Sequence, residues 1–479
     1  MGNEYILKDS IIPRDIDGIY FAIDAEANYY SNGKGIDRLN TSAYQLLSLM
    51  KSMKKFNLDL LVDKYGELFI NPPERNRLMD DVKEIFHYFM NKNYFEGSKN
   101  HSSYTSKVEK HNTNIGVSKE CVAQLVMDYW GKRRHIYSAG IELTTLCNFH
   151  CIHCYNQNEE HCAKLTTNEV KKILDILYDN GVLMVYFTGG EIMSRKDFAE
   201  IYVYAKKRGF LVELLTNGSL ITDEIIKIFN KYPPANVSIS IYGDNDQSYY
   251  DVTGDPLGYT KVVNNITKLH QNNINMLLKY IVLKENLHCY RGIKELAAEF
   301  KQDLKYGFEL FPTLHGEANN LCHQISNEEI LEIEKEDIKT AQLLYLSLHG
   351  KRVTPRDKYG FEPLYMCSIS RYMILIDYQG YIQPCTIMRK KEFNILNCDL
   401  KEAWSTFEKY IHICAPENFV CRNCKDFKIC NPCVEKNLLF SGDKAIPSPE
   451  HCDLIHMRAT EFSSEKYNPK KGGKTDGIQ

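Results

Sequence analysis

The sequence predicts an α/β protein built around a partial, TIM-like barrel of six β/α units. Between residues 138 and 350, short apolar strands alternate with amphipathic helices, which is the pattern of parallel strands joined by crossover helices. A smaller set of strands and helices precedes this region, and a cysteine-rich segment with little apolar periodicity follows it. We therefore divide the chain into an N-terminal α+β unit (1–97), a linker with a bridging helix (98–137), the barrel (138–350), a cysteine-rich domain (351–465) and a disordered tail (466–479).

The N-terminal unit is predicted from one hairpin and three helices. Residues 19–23 and 28–30 predict two strands joined by a turn. Asn40 or Thr41 is expected to cap the first helix, and residues 58–65 are expected to form the second. The third helix, over residues 74–91, has the clearest helical periodicity, carried by Leu78, Val82, Ile85, Phe86 and Phe89.

The barrel is predicted from six strands that alternate with helices. The strands are expected at residues 139–143, 183–187, 211–215, 237–241, 277–283 and 305–310. Helices are expected between them, for example over residues 167–180 and 197–208. In barrels of this kind, sites form where the strands end, so motifs that directly follow a strand are the candidates for function.

Composition limits the classes of function. A net charge of −3 over 479 residues gives no electrostatic reason to expect a nucleic acid or a membrane surface as partner. The first residues do not form a secretory signal, and no run of 18 apolar residues is present, so we expect a cytoplasmic protein. Sixteen cysteines in a reducing compartment favour metal-binding or catalytic thiols over disulfides.

The first cysteine cluster directly follows the first barrel strand. Cys147, Cys151 and Cys154 have CxxxCxxC spacing on one short loop. Three thiolates can hold three irons of a [4Fe–4S] cube and leave the fourth iron open to a small chelating molecule. A zinc knuckle is the alternative, but zinc sites usually show two CxxC pairs and four ligands.

This spacing is that of the radical S-adenosylmethionine (SAM) superfamily, which the chain resembles here. The resemblance implies that SAM binds the open iron and is cleaved by one electron to a 5′-deoxyadenosyl radical. It also implies roles for three segments that follow strands. Gly189, Gly190 and Glu191 would hold the SAM ammonium, Ser240 would contact the ribose or carboxylate, and His153 would pack near the adenine. A turn with a solvated Glu191 and a plain buried Ser240 remain the alternatives.

A second cysteine set resembles the seven-cysteine SPASM region of peptide-modifying radical SAM enzymes. It consists of Cys367, Cys385, Cys421, Cys424, Cys430, Cys433 and Cys452. The gap between Cys430 and Cys433 is two residues, where the family usually has three. A zinc ribbon is again the alternative, because two CxxC pairs are present.

The resemblance assigns these cysteines to two auxiliary [4Fe–4S] clusters. One cluster would be held by Cys421, Cys424, Cys430 and Cys452, and the other by Cys367, Cys385 and Cys433. We expect an open iron on the second cluster, to which a substrate thiolate could bind. Cys414 is a spare thiol that could close that site. The remaining cysteines have no metal spacing, and we expect them to be small buried hydrophobic residues.

The N-terminal unit resembles the recognition element of enzymes that modify ribosomally made peptides (RiPPs). Such elements bind a leader peptide by strand addition beside their last helix. A DNA-binding winged helix is the alternative, but the helix over residues 74–91 carries Asp80, Asp81 and Glu84, which disfavours phosphate binding.

Together, the three resemblances imply a radical SAM peptide maturase. The favoured reaction is a thioether crosslink between a Cys sulfur and a carbon of the same precursor peptide, with flavodoxin or ferredoxin as electron donor. A carbon–carbon crosslink or another peptide oxidation is the alternative within the class. A zinc-stabilised, non-catalytic peptide-binding protein is the alternative from another class.

Overall fold

The computed structural model describes residues 4–16, 19–25, 36–96, 135–157, 162–350, 363–367, 369, 371–430 and 432–469. The expected strand at 28–30, the bridging helix and the tail residues from 470 lie outside these ranges. The expectation of a disordered tail from 466 is wrong for residues 466–469, since Tyr467 is buried at the end of a short 3-10 helix, Glu465–Tyr467. No helix within them is long and apolar enough to cross a membrane.

The N-terminal unit consists of two small antiparallel sheets and three helices. Its strands are β1 (Tyr5–Ile6), β2 (Ile11–Ile16), β3 (Ile19–Asp24), β4 (Ile36–Leu39) and β5 (Lys55–Phe56). Strand β1 pairs with β5, and the other three form a sheet in the order β2-β3-β4. The first predicted strand is therefore confirmed as β3, but its partners are β2 and β4.

All three predicted helices of this unit are confirmed. They are α1 (Thr41–Met53), α2 (Leu58–Gly66) and α3 (Arg75–Asn91). The Asn40 side chain caps α1 by accepting a hydrogen bond from the amide of Ala43 at 2.8 Å, and Asn57 caps α2 in the same way. The five apolar residues that predicted α3 are all buried in the core of the unit.

The barrel sheet contains the six predicted strands. They are β6 (Ser138–Thr144), β7 (Met184–Gly189), β8 (Leu211–Thr216), β9 (Asn236–Ile241), β10 (Met276–Ile281) and β11 (Leu304–Gly307). All are parallel, and β11 ends three residues earlier than expected. The helices that follow them are α4 (Thr167–Asp179), α5 (Phe198–Arg208), α6 (Asp223–Lys231), α7 (Asp246–Thr253), α8 (Gly258–Gln271) and α9 (Tyr290–Glu299).

The cysteine-rich region extends the same sheet, which the sequence did not predict. Strand β12 (Met373–Ile376) pairs parallel to β6, and β13 (Ile382–Gln383) pairs antiparallel to β12. The sheet thus has eight strands in the order β11-β10-β9-β8-β7-β6-β12-β13. The remaining helices are α10 (Asn327–Glu336), α11 (Ile338–His349), α12 (Leu400–Phe407), α13 (Val434–Ser441) and α14 (Pro449–Phe462).

The two faces of the barrel strands differ in chemistry. On β6, Ala139, Ile141 and Leu143 pack into the core beneath the helices. Because side chains alternate along a strand, the intervening Gly140 and Glu142 face the other side, into the barrel. The same alternation places further polar residues inside the barrel, namely Tyr186, Glu213, Ser238, Ser240 and Lys279.

The N-terminal unit packs against the end of the barrel where the strands begin. Phe21 and Ile23 of β3 share an apolar cluster with Leu183, Met184 and Leu211, which lie at the starts of β7 and β8. The guanidinium of Arg14 lies 3.8 Å from the ring centroid of Tyr178 and donates to the Tyr178 carbonyl oxygen at 2.9 Å. The unit is thus attached opposite the strand ends where the first cysteine cluster lies.

Candidate functional site

The three cysteines of the first cluster lie together and are largely shielded from water. Burial raises the pKa of the Cys151 thiol, and the neighbouring Cys154 and Cys147 raise it further. Burial likewise raises the pKa of Cys147 and Cys154. A bound metal cation would lower these thiol pKa values again, because metal binding requires the thiolate form.

Backbone hydrogen bonds from this loop to carbonyl oxygens of α7 fix the shape of the loop. The amide of His150 donates to the Thr253 carbonyl oxygen at 2.8 Å, and the amide of Ile152 donates to the Val252 carbonyl oxygen at 3.0 Å. The Phe149 amide points back to the Cys147 sulfur at 3.5 Å. The loop is therefore held against the C-terminal end of α7.

Asn217 is a residue near the cluster that sequence reasoning missed. It follows β8, and its Nδ2 lies 3.9 Å from the Cys147 sulfur and 2.9 Å from the Asn148 side-chain oxygen. The available signal was its place in a polar Thr216-Asn217-Gly218 turn at the end of a parallel strand, where sites form.

Gly189 and Gly190 cross the backbone of the cysteine loop. Gly189 has φ +131°, and a β-carbon there would lie 2.0 Å from the Thr144 carbonyl oxygen. A β-carbon on Gly190 would lie 2.2 Å from the Leu146 carbonyl oxygen. The Gly190 amide donates to the Thr144 oxygen at 2.8 Å. Glycine is thus required at both positions for packing against the loop, whether or not a ligand also approaches.

The Glu191 carboxylate is fully buried and bound by its own chain. It accepts hydrogen bonds from the Asn217 amide at 2.7 Å, the Thr216 hydroxyl at 2.8 Å and the Met193 amide at 3.0 Å. Burial raises its pKa, while these donors oppose the shift. Glu191 therefore ties the end of β7 to the end of β8, and its expected contact with the SAM ammonium stays a prediction.

Ser240 and His153 converge on Tyr242. Burial raises the pKa of the Tyr242 hydroxyl, Cys151 adds to the shift and Ser240 opposes it, so both side chains are neighbours of that hydroxyl. The His153 ring centroid lies 5.2 Å from that of Tyr242. Burial lowers the pKa of His153 to about 4, so the ring is neutral near pH 7. A neutral, buried ring suits the expected stacking role, which stays a prediction.

The seven C-terminal cysteines fall into two neighbourhoods. Burial raises the pKa of Cys430 to about 12, and the thiols of Cys421, Cys424 and Cys452 add to the shift. Burial raises the pKa of Cys385 to about 11, with a contribution from Cys433, which in turn is affected by Cys367. The neighbours within each set are the residues that the resemblance assigned to one cluster.

The spacing of these thiols bears on which metal group fits. Across the described ranges, no three His, Cys, Asp or Glu side chains converge closely enough to hold a single metal ion. Cysteine thiolates are the usual ligands of iron–sulfur clusters, in which each thiolate binds a different iron. The donor set therefore fits iron–sulfur clusters.

The other cysteines divide by exposure. Cys289 is buried, as expected, and Cys162 and Cys398 are partly exposed. Cys322 and Cys414 are exposed, so the expectation of burial is wrong for these two. Cys414 forms a β-bridge with Pro363, four residues before Cys367. Cys121 lies outside the described residues.

Comparisons with known proteins place the chain among radical SAM proteins. Residues 141–297 match the model of the Radical SAM superfamily. The AdoMet-dependent heme synthase of Nitratidesulfovibrio vulgaris is 26% identical over 332 residues, which cover 64% of this chain and 90% of that protein. The antilisterial bacteriocin subtilosin biosynthesis protein AlbA of Bacillus subtilis is 26% identical over 270 residues, which cover 54% of this chain and 56% of AlbA.

A solved structure extends the likeness of the fold to nearly the whole chain. Streptococcus suis SuiB bound to the precursor peptide SuiA matches with a TM-score of 0.55, covering 94% of this chain and 99% of that one. At 15% identity, this match shows the fold alone.

The family match spans the cysteine loop, the Gly189–Gly190–Glu191 turn and Ser240. Radical SAM enzymes use a [4Fe–4S] cluster and SAM, and the clustered thiols described above fit that cofactor. The non-catalytic zinc protein considered as an alternative is thereby set aside. Residues 141–297 form a radical SAM domain, so the chain is an enzyme that contains this domain.

Proposed function

We propose that the enzyme is a peptide maturase that joins a Cys sulfur to a carbon of the same ribosomally made precursor. The observation that carries the proposal is the sorting of seven C-terminal thiols into two groups beside a radical SAM barrel. AlbA, named for the biosynthesis of a bacteriocin, supports a peptide substrate. The fold shared with peptide-bound SuiB supports it as well.

Three [4Fe–4S] clusters belong to this proposal. Cys147, Cys151 and Cys154 would hold the cluster that binds SAM, with Gly189, Gly190, Glu191, Ser240 and His153 around the cofactor. When bound, this cluster and SAM supply a 5′-deoxyadenosyl radical that abstracts hydrogen from the substrate. The two C-terminal thiol groups would hold the auxiliary clusters, and the set with three cysteines leaves room for a substrate thiolate.

The N-terminal unit would bind the leader of the precursor, and flavodoxin or ferredoxin would supply electrons. Strand β4 is an edge of the three-stranded sheet as far as the described residues show, and it lies beside the end of α3. Asp37 on β4 is hydrogen-bonded to Tyr94 and to Lys92 at 2.6 Å, both of which follow α3. A leader peptide that paired with β4 as an added strand would lie on the side of the unit that carries Asp37, Tyr94 and Lys92.

Two other reactions compete with the thioether. A carbon–carbon crosslink uses the same radical chemistry and removes the same two hydrogens. A tetrapyrrole substrate is suggested by the heme synthase relative, but that match covers 64% of this chain, whereas the SuiB fold covers 94%. The additional coverage favours an enzyme with a leader-binding unit.

The test begins with anaerobic purification and reconstitution. We expect about twelve irons per chain and formation of 5′-deoxyadenosine when SAM and dithionite are added. A Cys147→Ala variant, in which the SAM-binding cluster is disrupted, should form none. Incubation with the precursor peptide should give a product that is two hydrogens lighter for each crosslink. For each crosslink, the product should also have one thiol fewer that reacts with iodoacetamide. A product that keeps all its thiols contradicts the thioether, and turnover of a porphyrin but no peptide contradicts the maturase.

A further inference from the structure

A buried ion pair joins the cysteine-rich region to the inside of the barrel. Arg389 follows Cys385 by four residues and reaches Glu142, which faces inward from β6. The two terminal nitrogens of Arg389 donate to the two carboxylate oxygens of Glu142 at 2.9 and 2.7 Å. The side chains are 22% and 5% exposed, respectively. The pair lies towards the end of β6 from which the cysteine loop emerges.

Two tyrosines place this pair near both cysteine groups. Tyr155 directly follows Cys154, and its side chain is a neighbour of both Glu142 and Arg389. Burial raises the pKa of Tyr186 to about 12, with contributions from Glu142 and from the Cys385 thiol. Arg389 therefore lies close to the loop where SAM would bind, and it shares Tyr186 as a neighbour with Cys385 of one auxiliary group.

One nitrogen of Arg389 has no acceptor. Its Nε is buried and has no hydrogen-bond partner in the part of the chain that the structure describes. Both oxygens of Glu142 are already taken by the terminal nitrogens. A buried N–H without an acceptor is destabilising, so its persistence at this place points to an acceptor supplied by a bound molecule.

A second ion pair provides a matched comparison. Arg458 on α14 binds Glu334 on α10 with the same bidentate chemistry, at 2.9 and 2.6 Å. The side chains have nearly the same exposure, 19% and 6%. Here the Nε of Arg458 donates to the Glu334 carboxylate, so this N–H is not left without an acceptor. The pair joins two helices, away from the inward-facing residues of the sheet.

We propose that Arg389 is a positioning residue that donates its Nε–H to a backbone carbonyl oxygen of the peptide substrate in the barrel. This inference rests on the proposed function. The ligand is a neutral carbonyl because Glu142 already balances the charge of Arg389, and a carboxylate would add a second buried negative charge. Glu142 holds the guanidinium in place, so the peptide is fixed relative to both the SAM site and the auxiliary thiols.

The test compares Arg389→Lys with Arg458→Lys. Lysine keeps the positive charge and an ion pair but lacks the forked N–H groups. The main readout is crosslinked peptide formed per 5′-deoxyadenosine, which falls when SAM is cleaved without a well-placed substrate. We expect Arg389→Lys to lower this ratio about three- to tenfold, with unchanged iron content. Arg458→Lys should leave the ratio unchanged.

A binding measurement keeps the test independent of turnover. With SAM bound and no reductant, the affinity for a fluorescent precursor should fall in Arg389→Lys and in Glu142→Gln, but not in Arg458→Lys. The proposal is overturned if the product ratio and the peptide affinity of Arg389→Lys match wild type while the melting temperature drops equally in Arg389→Lys and Arg458→Lys. Arg389 would then only stabilise the fold. If wild type itself binds and modifies no peptide, the proposed function fails first, and the role of Arg389 fails with it.

Discussion

The ring of Tyr186 occupies the space that a side chain on Gly140 would need. These residues are paired across β6 and β7, and a β-carbon on Gly140 would lie 2.3 Å from Cζ of Tyr186. Both face the interior of the barrel, next to Glu142. The absence of a side chain at Gly140 is therefore what allows Tyr186 to lie across the first strand.

We predict that Gly140→Ala displaces Tyr186 and costs about 1–3 kcal/mol of stability through overpacking. The melting temperature of the reconstituted enzyme should fall. Gly66→Ala is the control, since its β-carbon would lie 3.5 Å from Leu78, an ordinary contact at the end of α2. Equal melting temperatures for Gly140→Ala and wild type would show that the ring moves freely.

Glu191→Gln tests the link between the ends of β7 and β8. Glutamine has one oxygen where glutamate has two, so either the Asn217 or the Met193 amide faces an NH2 group instead of an acceptor. We expect the free energy of unfolding to fall by about 1–3 kcal/mol. We also expect the protein to lose more of its iron during gel filtration, because Asn217 also contacts Cys147.

Glu295→Gln on the exposed side of α9 is the control for this change and should behave as wild type. If Glu191→Gln keeps both its stability and its iron, the three hydrogen bonds to Glu191 do not support the cysteine loop.

The sequence alone predicted the barrel well, because its strands are short apolar runs separated by capped helices. The six strands appear at the expected places, and Thr166 and Thr222 cap α4 and α6. The sequence did not predict β12 and β13, since a four-residue apolar segment far along the chain carries no signal of its parallel partner β6. Long-range pairing is decided by tertiary packing, which periodicity does not reveal.

The candidate site shows the same division. CxxxCxxC spacing identified the first thiol group because all three cysteines lie on one loop. Asn217 and Arg389 come from other segments, and their approach to Cys147 and Glu142 depends on how those segments fold. The packing of Gly189 and Gly190 against the loop could be recognised only in the structure, because a Gly-Gly pair in the sequence is equally consistent with a ligand contact.

Removal of iron should loosen the cysteine-rich region more than the barrel. Among the described residues, the apolar cluster that includes Cys421 and packs against Cys385 has nine buried members, whereas the barrel has a continuous core along all six strands. A small core with thiol ligands depends on its metal for stability. Hydrogen exchange after chelation should therefore accelerate around residues 420–429, with β7 to β9 unchanged. Uniform acceleration would show that the clusters stabilise the whole fold.

The position of the N-terminal unit sets a minimum length for the precursor peptide, if this unit binds the leader. The unit contacts the starts of β7 and β8, whereas the cysteine loop lies beyond the ends of the strands. A six-residue strand spans about 20 Å, and an extended peptide covers about 3.3–3.6 Å per residue. At least about six residues must therefore separate the bound leader from the first modified residue. Precursors with shorter spacers should keep the part of the affinity that the leader supplies, measured by fluorescence anisotropy, and yet give no crosslink by mass spectrometry. Modification of a precursor with a two-residue spacer would place the leader elsewhere on the enzyme.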